Sequence, residues 1–209
     1  MLSPLPTAVR NHLAAFRMLL VLTVITGVLY PLAVTGVAQA AFSHQANGSL
    51  VHQNGKVVGS SLIGQNFDLP KKNPDDPNEA ARPDPKWFQP RPSAGAYDPL
   101  ASGASNLGPN NPDLIKAIKD RRAAVAAFDG VNPEDVPVDA LTASGSGLDP
   151  DISTVYAHEQ VKRVAKARSL NAAAVNKLVS DNTHGRALGF LGQEYVNVID
   201  LNNALAQAK

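Results

Sequence analysis

The chain has 209 residues, with 19 Lys and Arg against 18 Asp and Glu, no cysteine and 5% aromatic residues. That length suits one membrane anchor and one domain, and the missing cysteines exclude disulfides, thiolate zinc sites and cysteine nucleophiles. Outside the apolar stretch, 17 basic residues face 18 acidic ones once Arg10 and Arg17 are set aside. This balance argues against nucleic acid, and the few aromatics argue against a stacking platform for bases or sugars.

In chain order, a short basic segment, 1–17, precedes an uncharged run from Met18 to Phe42. A bilayer core of about 30 Å needs about 20 apolar residues in a helix, so 18–42 reads as a transmembrane helix. Arg10 and Arg17 flank it, whereas Ser43 to Gly55 carries no Lys or Arg. The positive-inside rule then keeps 1–17 in the cytoplasm and sends 43–209 across. The alternative is a cleaved signal peptide. Ala38-Gln39-Ala40 fits small-x-small, and cleavage after Ala40 releases a soluble periplasmic binding module. Against it, the apolar run before that site is longer than the usual signal core of about 7–15 residues. Tyr30-Pro31 predicts a kink, and the spacings Thr23/Gly27 and Gly36/Ala40 allow close helix packing.

Beyond the span, residues 43–56 read as a turn-rich link with Asn47-Gly48 and Asn54-Gly55. Val57 to Ile63 suits a short strand. Segment 68–86 holds five prolines and many charges, a surface insertion loop, after which Trp87-Phe88 returns apolar bulk to the core. Residues 102–112 are too rich in Gly, Pro and Asn for a regular element. Asn111 caps a helix with Pro112 at its first position, an apolar stripe runs through Phe128, and Asp129-Gly130 ends it. Pro133 to Pro137 is a turn, and Val138 to Leu141 is expected as a brief strand. A second small-polar loop, 142–153, ends at Ser153, which caps a helix through Arg168. Asn171 caps the next helix through Val179, 180–194 is loop-rich, Tyr195 to Leu201 alternates as a strand, and 202–208 forms a terminal helical turn. The fold expected is a single N-terminal transmembrane helix plus a compact α+β extracytoplasmic domain, 43–209.

Catalytic patterns fail in this chain. Ser146 lacks the first glycine of a nucleophile elbow, Ser180-Asp181-Asn182 has no Ser-x-x-Lys beside it, and Lys162 occupies the second histidine position after His158-Glu159. A hydrolase using Ser144 or Ser146 ranks last, and no metal site or catalytic residue is assigned. Two polar loops stand out instead. Ser102, Ser105 and Asn106 on one, and Ser144, Ser146 and Asp149 on the other, could line a hydrated path or a partner surface; ordinary connecting loops are the other reading.

QANGSL (45–50), GSSLIGQNF (59–67), SGASNLGPNNPDL (102–114), TASGSGLDPDIS (142–153), QVKRVAKAR (160–168) and VNVIDLNNAL (196–205) occur in one order along the chain. Together they closely resemble the C chain (KdpC) family of Kdp-type potassium-transporting ATPases. The resemblance implies a single-pass, non-catalytic subunit of a bacterial inner-membrane pump. Its partners would be a channel-like A subunit that selects potassium and a P-type ATPase B subunit that hydrolyses ATP. It binds no cofactor tightly; ATP and potassium are handled by the complex. The resemblance also implies a catalytic chaperone that raises the pump's ATP affinity, with Gln160 and Arg163 as the candidate contact. An amide can bond adenine or ribose and an arginine can bond phosphate. The charge pattern, however, puts both residues on the side without ATP. Either the coupling to ATP is indirect, through the span and the partner subunits, or the topology reading fails; an external cap over the potassium entrance is the physically easier of the mechanisms.

Overall fold

The computed structural model describes residues 6–76 and 79–208; residues 1–5 of the basic segment, Pro77 and Asn78 of the Pro-rich loop, and Lys209 lie outside them. The chain divides into two units, 1–49 and 50–209.

The first unit is one long helix in two pieces, α1 (Thr7–Val24) and α2 (Tyr30–Ala41), joined by a π-helical turn, Ile25–Leu29. The most apolar 18-residue stretch of Thr7–Ala41 has mean hydropathy 2.1 and none of it is buried in protein, so the helix is long and apolar enough to cross a membrane. At about 1.5 Å per residue it exceeds the bilayer core, and its surplus lies upstream, through Arg17 and Arg10 to Thr7. Where a kink is expected, the helix carries the π turn. The Pro31 ring would clash with the carbonyl of Gly27, four residues earlier. The backbone widens there instead, and the Tyr30 N–H reaches back five residues to the Ile25 carbonyl. A short turn, α3 (Ser43–Ala46), follows, and the amides of Gln39 and Asn47 exchange two hydrogen bonds at 3.1 Å.

The second unit opens with a hairpin, β1 (Leu50–Gln53) and β2 (Lys56–Ser60), paired antiparallel with Gln53 opposite Lys56. This corrects the turn-rich link expected over 43–56. Asn54 and Gly55 sit at φ 50° and 77°, the two left-handed positions of a tight hairpin turn. Helix α4 (Pro112–Asp129) starts as expected, with the Asn111 side chain accepting from the Asp113 and Leu114 N–H groups, and ends at left-handed Gly130. Pro133–Asp135 and Val138–Ala140 are 3-10 turns, so the brief strand expected at 138–141 is not formed. Pro137 precedes the second turn, and Asp139 turns inward to accept from the Ser153 N–H and hydroxyl. Then come β3 (Asp151–Ile152), α5 (Thr154–Arg168), α6 (Ala172–Asp181), β4 (Thr183–His184), β5 (Tyr195–Asn197) and α7 (Val198–Gln207). The sheet order is β3-β5-β4, all antiparallel. The strand expected over 195–201 stops after three residues, because Asn197 caps α7 by accepting from the Ile199 and Asp200 N–H groups.

Helix α5 is the centre of this domain. It buries Tyr156, Ala157, Val161 and Val164 at helical spacing, and α4, α6 and β5 pack on it. Around them close Leu141, Val175, Val179, Val196, Leu201, Leu205 and Phe88, the last with no exposed surface. Phe88 thus anchors an irregular segment in the core, a burial worth about 2–3 kcal/mol.

Candidate functional site

Gln160 and Arg163 lie three apart on α5, which puts both on its buried face. Gln160 has no exposed surface. Its Oε1 accepts from the Gln89 N–H and from Arg163 Nη2, both at 2.6 Å, and its Nε2 donates to the Gln89 carbonyl at 3.1 Å. Arg163 donates through Nη1 to the carbonyls of Pro85 and Trp87 at 2.8 and 2.9 Å, and through Nε to Asp129. Its guanidinium also covers the Phe128 ring, 4.3 Å from the centroid. Asn202 on α7 repeats the pattern one residue along. Its Oδ1 accepts from the Phe88 N–H at 2.9 Å and its Nδ2 donates to the Phe88 carbonyl at 3.0 Å. Arg168 completes the set, donating to the carbonyls of Lys86 and Leu205 while lying 4.3 Å over the Trp87 ring.

A carboxamide carries one donor edge and one acceptor edge, like a peptide bond. Gln160 and Asn202 therefore stand in for a neighbouring strand and satisfy the buried backbone of Phe88 and Gln89. The two arginines collect the segment's other three carbonyls, those of Pro85, Lys86 and Trp87, and Arg168 also ties in the Leu205 carbonyl of α7. This cluster clamps segment 85–89 into the core. A nucleotide reaching Gln160 in this state would have to displace those bonds.

Beside the clamp lies an acidic group. The ion pair of Arg163 with Asp129 is almost fully buried, and Asp129 Oδ2 has no hydrogen-bond partner. Burial pushes the Asp129 carboxyl up, against the pull of Arg163. Glu159 Oε1 is also buried without a partner. Its carboxyl is pushed up to about 7 by burial, with the charges of Asp129, Asp135 and Asp139 adding.

The two polar loops meet each other. The Gly103 N–H and Ser102 hydroxyl both donate to the Ser146 carbonyl, at 2.8 and 3.1 Å, and the Ser93 hydroxyl donates to the Gly147 carbonyl at 2.7 Å. A Cβ on Gly147 would sit 2.7 Å from the Gly103 carbonyl oxygen, so only glycine permits this approach. Ser144 is buried and its hydroxyl accepts from the Gly147 N–H; the Ser146 hydroxyl accepts from the Leu148 N–H. Both serines thus serve local turns. Asp149 pairs with Arg91 at 3.0 Å, while Ser105 and Asn106 remain exposed. Glycine and serine in the sequence pointed to close backbone approach. Which loop would meet which was not readable, because 44 residues separate Ser102 from Ser146. Among the described residues, no three His, Asp or Glu side chains gather in a way that could hold a metal ion.

Sequence reasoning missed two features. One is a cleft of about 680 Å³ lined by Asp139, Asp149, Asp151 and Glu194. Burial and the neighbouring charge of Asp149 push the Asp151 carboxyl up to about 6. The other is the apolar tip of the β4–β5 hairpin, where Leu188 is 84% and Phe190 69% exposed. Its signal was present in the sequence as Leu188-Gly189-Phe190-Leu191-Gly192, an apolar run inside a stretch of loop composition.

Comparison with known proteins covers almost the whole chain. The family profile described as "K+-transporting ATPase, c chain" (KdpC) matches residues 12–207. A Streptomyces avermitilis protein named potassium-transporting ATPase KdpC subunit is 55% identical over 207 residues, covering 93% of this chain and 92% of its own length. Proteins of the same name from Streptomyces coelicolor and Mycobacterium tuberculosis are 49% and 48% identical. They cover 97% and 94% of this chain and 95% and 97% of their own lengths.

Proposed function

The chain belongs to the KdpC family, the c chain of K+-transporting ATPases, and on that footing we propose that it is the non-catalytic, single-pass subunit of an ATP-driven potassium pump. The observation that carries this reading is 55% identity, over 93% of this chain, with a protein named potassium-transporting ATPase KdpC subunit. Its helix Thr7–Ala41 anchors it in the bacterial inner membrane, and the flanking Arg10 and Arg17 keep the N-terminus cytoplasmic. The α+β domain then lies in the periplasm. Its partners are the channel-like A subunit and the P-type ATPase B subunit, which carries out ATP hydrolysis.

In this reading the chain acts on ATP affinity indirectly. Gln160 and Arg163 are committed to holding segment 85–89, and a periplasmic domain does not meet cytoplasmic ATP. The domain instead caps the outer potassium entrance, with the exposed ends of the polar loops, Ser105 and Asn106, available to that face. Deleting residues 43–209 while keeping the span tests this. High-affinity potassium uptake in whole cells should be lost, and uptake of normal affinity in the truncated strain would reject the cap. Mass spectrometry of the mature N-terminus checks the anchor, because a chain beginning at Ala41 is incompatible with it.

A further inference from the structure

We propose that the tip of the β4–β5 hairpin is a docking finger, whose Leu188, Phe190 and Leu191 insert into an apolar socket rimmed by Lys or Arg on another subunit of the pump. The proposal rests on the reading of this chain as a pump subunit.

The finger begins with its exposure. Leu188, Phe190 and Leu191 are 84%, 69% and 51% exposed, and they follow one another almost without interruption in loop 185–194. Scattered surface leucines are ordinary, but a contiguous uncharged tip marks an interaction site. The tip is also built rather than slack. Ala187 and Leu191 exchange two backbone hydrogen bonds, both at 2.9 Å, and the Gly189 N–H donates to the Arg186 carbonyl at 3.1 Å. Leu188 sits at φ 54°, where a bulky side chain meets its own backbone. Gly189 and Gly192 follow at 82° and 81°. At the root, the rings of His184 and Tyr195 stack at 4.8 Å, and the two strands pair in a fixed register. A loop held this way loses little freedom when it docks.

Charge selects the partner. Ala187 and Leu191 form one side of the 680 Å³ cleft, and Val138, itself 72% exposed, stands on the cleft wall as well. The cleft carries Asp139, Asp149, Asp151 and Glu194, and Arg91 is the basic residue among its described lining. Arg91 is already paired with Asp149, so the ground beside the finger is net negative; Arg186, at the start of the loop, lies outside that lining. An anionic lipid surface is repelled by such ground, whereas a protein socket with a basic rim is attracted. An apolar centre bordered by charge is the arrangement in which a few buried side chains dominate binding.

The test uses the full-length chain co-expressed with the other pump subunits, with p-benzoylphenylalanine in place of Phe190. Ultraviolet irradiation of the purified complex should join this chain to another subunit. Adducts with lipid alone, or none, in a complex that retains the chain would overturn the finger. The double variant Leu188→Asp with Phe190→Asp should lower retention of the chain in the complex at least about tenfold, with its circular dichroism unchanged. Retention equal to wild type would sink the proposal. Glu194→Lys should weaken retention, and a strengthening would reject the basic rim. A wild-type chain that fails to co-purify at all overturns the pump-subunit reading itself, which keeps the two failures apart.

Discussion

Gln160 and Asn202 do the same job from different helices, and each does it for a backbone that has no other partner. Replacing Gln160 with leucine orphans the Gln89 N–H and carbonyl, at about 1–3 kcal/mol per buried group. Asn202→Leu does the same to Phe88. Both variants should lower the melting temperature of the full-length chain in detergent, while the KM for ATP of complexes that still assemble stays at the wild-type value. A raised KM at unchanged melting temperature would return Gln160 to direct nucleotide contact. Glu159 belongs to the same neighbourhood with opposite consequences. Its carboxyl is pushed from 4.5 to about 7, so between those values the folded chain holds a proton that the unfolded chain has released. Stability from this group is present below pH 4.5 and falls as pH rises to about 7. Glu159→Gln should remove that slope and melt higher than wild type at pH 8. A wild-type and variant difference that does not change with pH would exclude Glu159 as its source.

Elements whose ends carry their own chemistry are legible in the sequence. Asn111-Pro112, Ser153 and Asn171 each begin a helix where a side-chain oxygen can take an N–H, and Gly130 ends one where φ turns positive. Short strands are not. β1 hides in LVHQ because its polar residues mask the alternation, although Asn54-Gly55 marked the turn. YVNVIDL looked like a strand because alternation and a capped helix start share the same apolar residues, and only Asn197 decides between them. The burial of Gln160 and Arg163 was illegible for a different reason. Polar side chains read as surface until their partners are known, and the partners outside α5 lie 34 to 78 residues away. In the spanning helix, the π turn adds about one residue before Pro31 and so rotates the downstream face by about 100°. Pro31→Ala restores a donor at position 31 and should return the turn to α geometry. The chain has no cysteine, so single cysteines at 32–41 can be cross-linked to neighbours one at a time. The cross-linking face should rotate in the variant, and an unchanged face would mean that Pro31 does not impose the turn.

At the scale of the molecule, the Pro-rich loop is tied at its neck and also within itself, where Glu79 accepts from the Lys72 and Asn73 N–H groups at 2.8 and 2.7 Å and Lys71 donates to the Asp76 carbonyl at 2.8 Å. Asp68 bridges to Pro83, the Leu69 N–H donates to the Arg82 carbonyl at 2.8 Å, and the Asp84 N–H to the Phe67 carbonyl at 3.1 Å. Immediately beyond that neck, the clamp fixes residues 85–89. The loop therefore joins the domain through two secured ends, and its remaining bonds close within the loop itself. Doubling its length costs only about 0.6 kcal/mol in closure entropy. That makes the loop a port for cargo. A short epitope spliced between Asp75 and Asp76 should leave potassium uptake unchanged and bind antibody on intact spheroplasts if the domain faces outward. Binding only after the inner membrane is opened would place the domain inside. The same neck lets residues be added or removed here at little cost, so a change of length in this loop is not passed on to the clamped core.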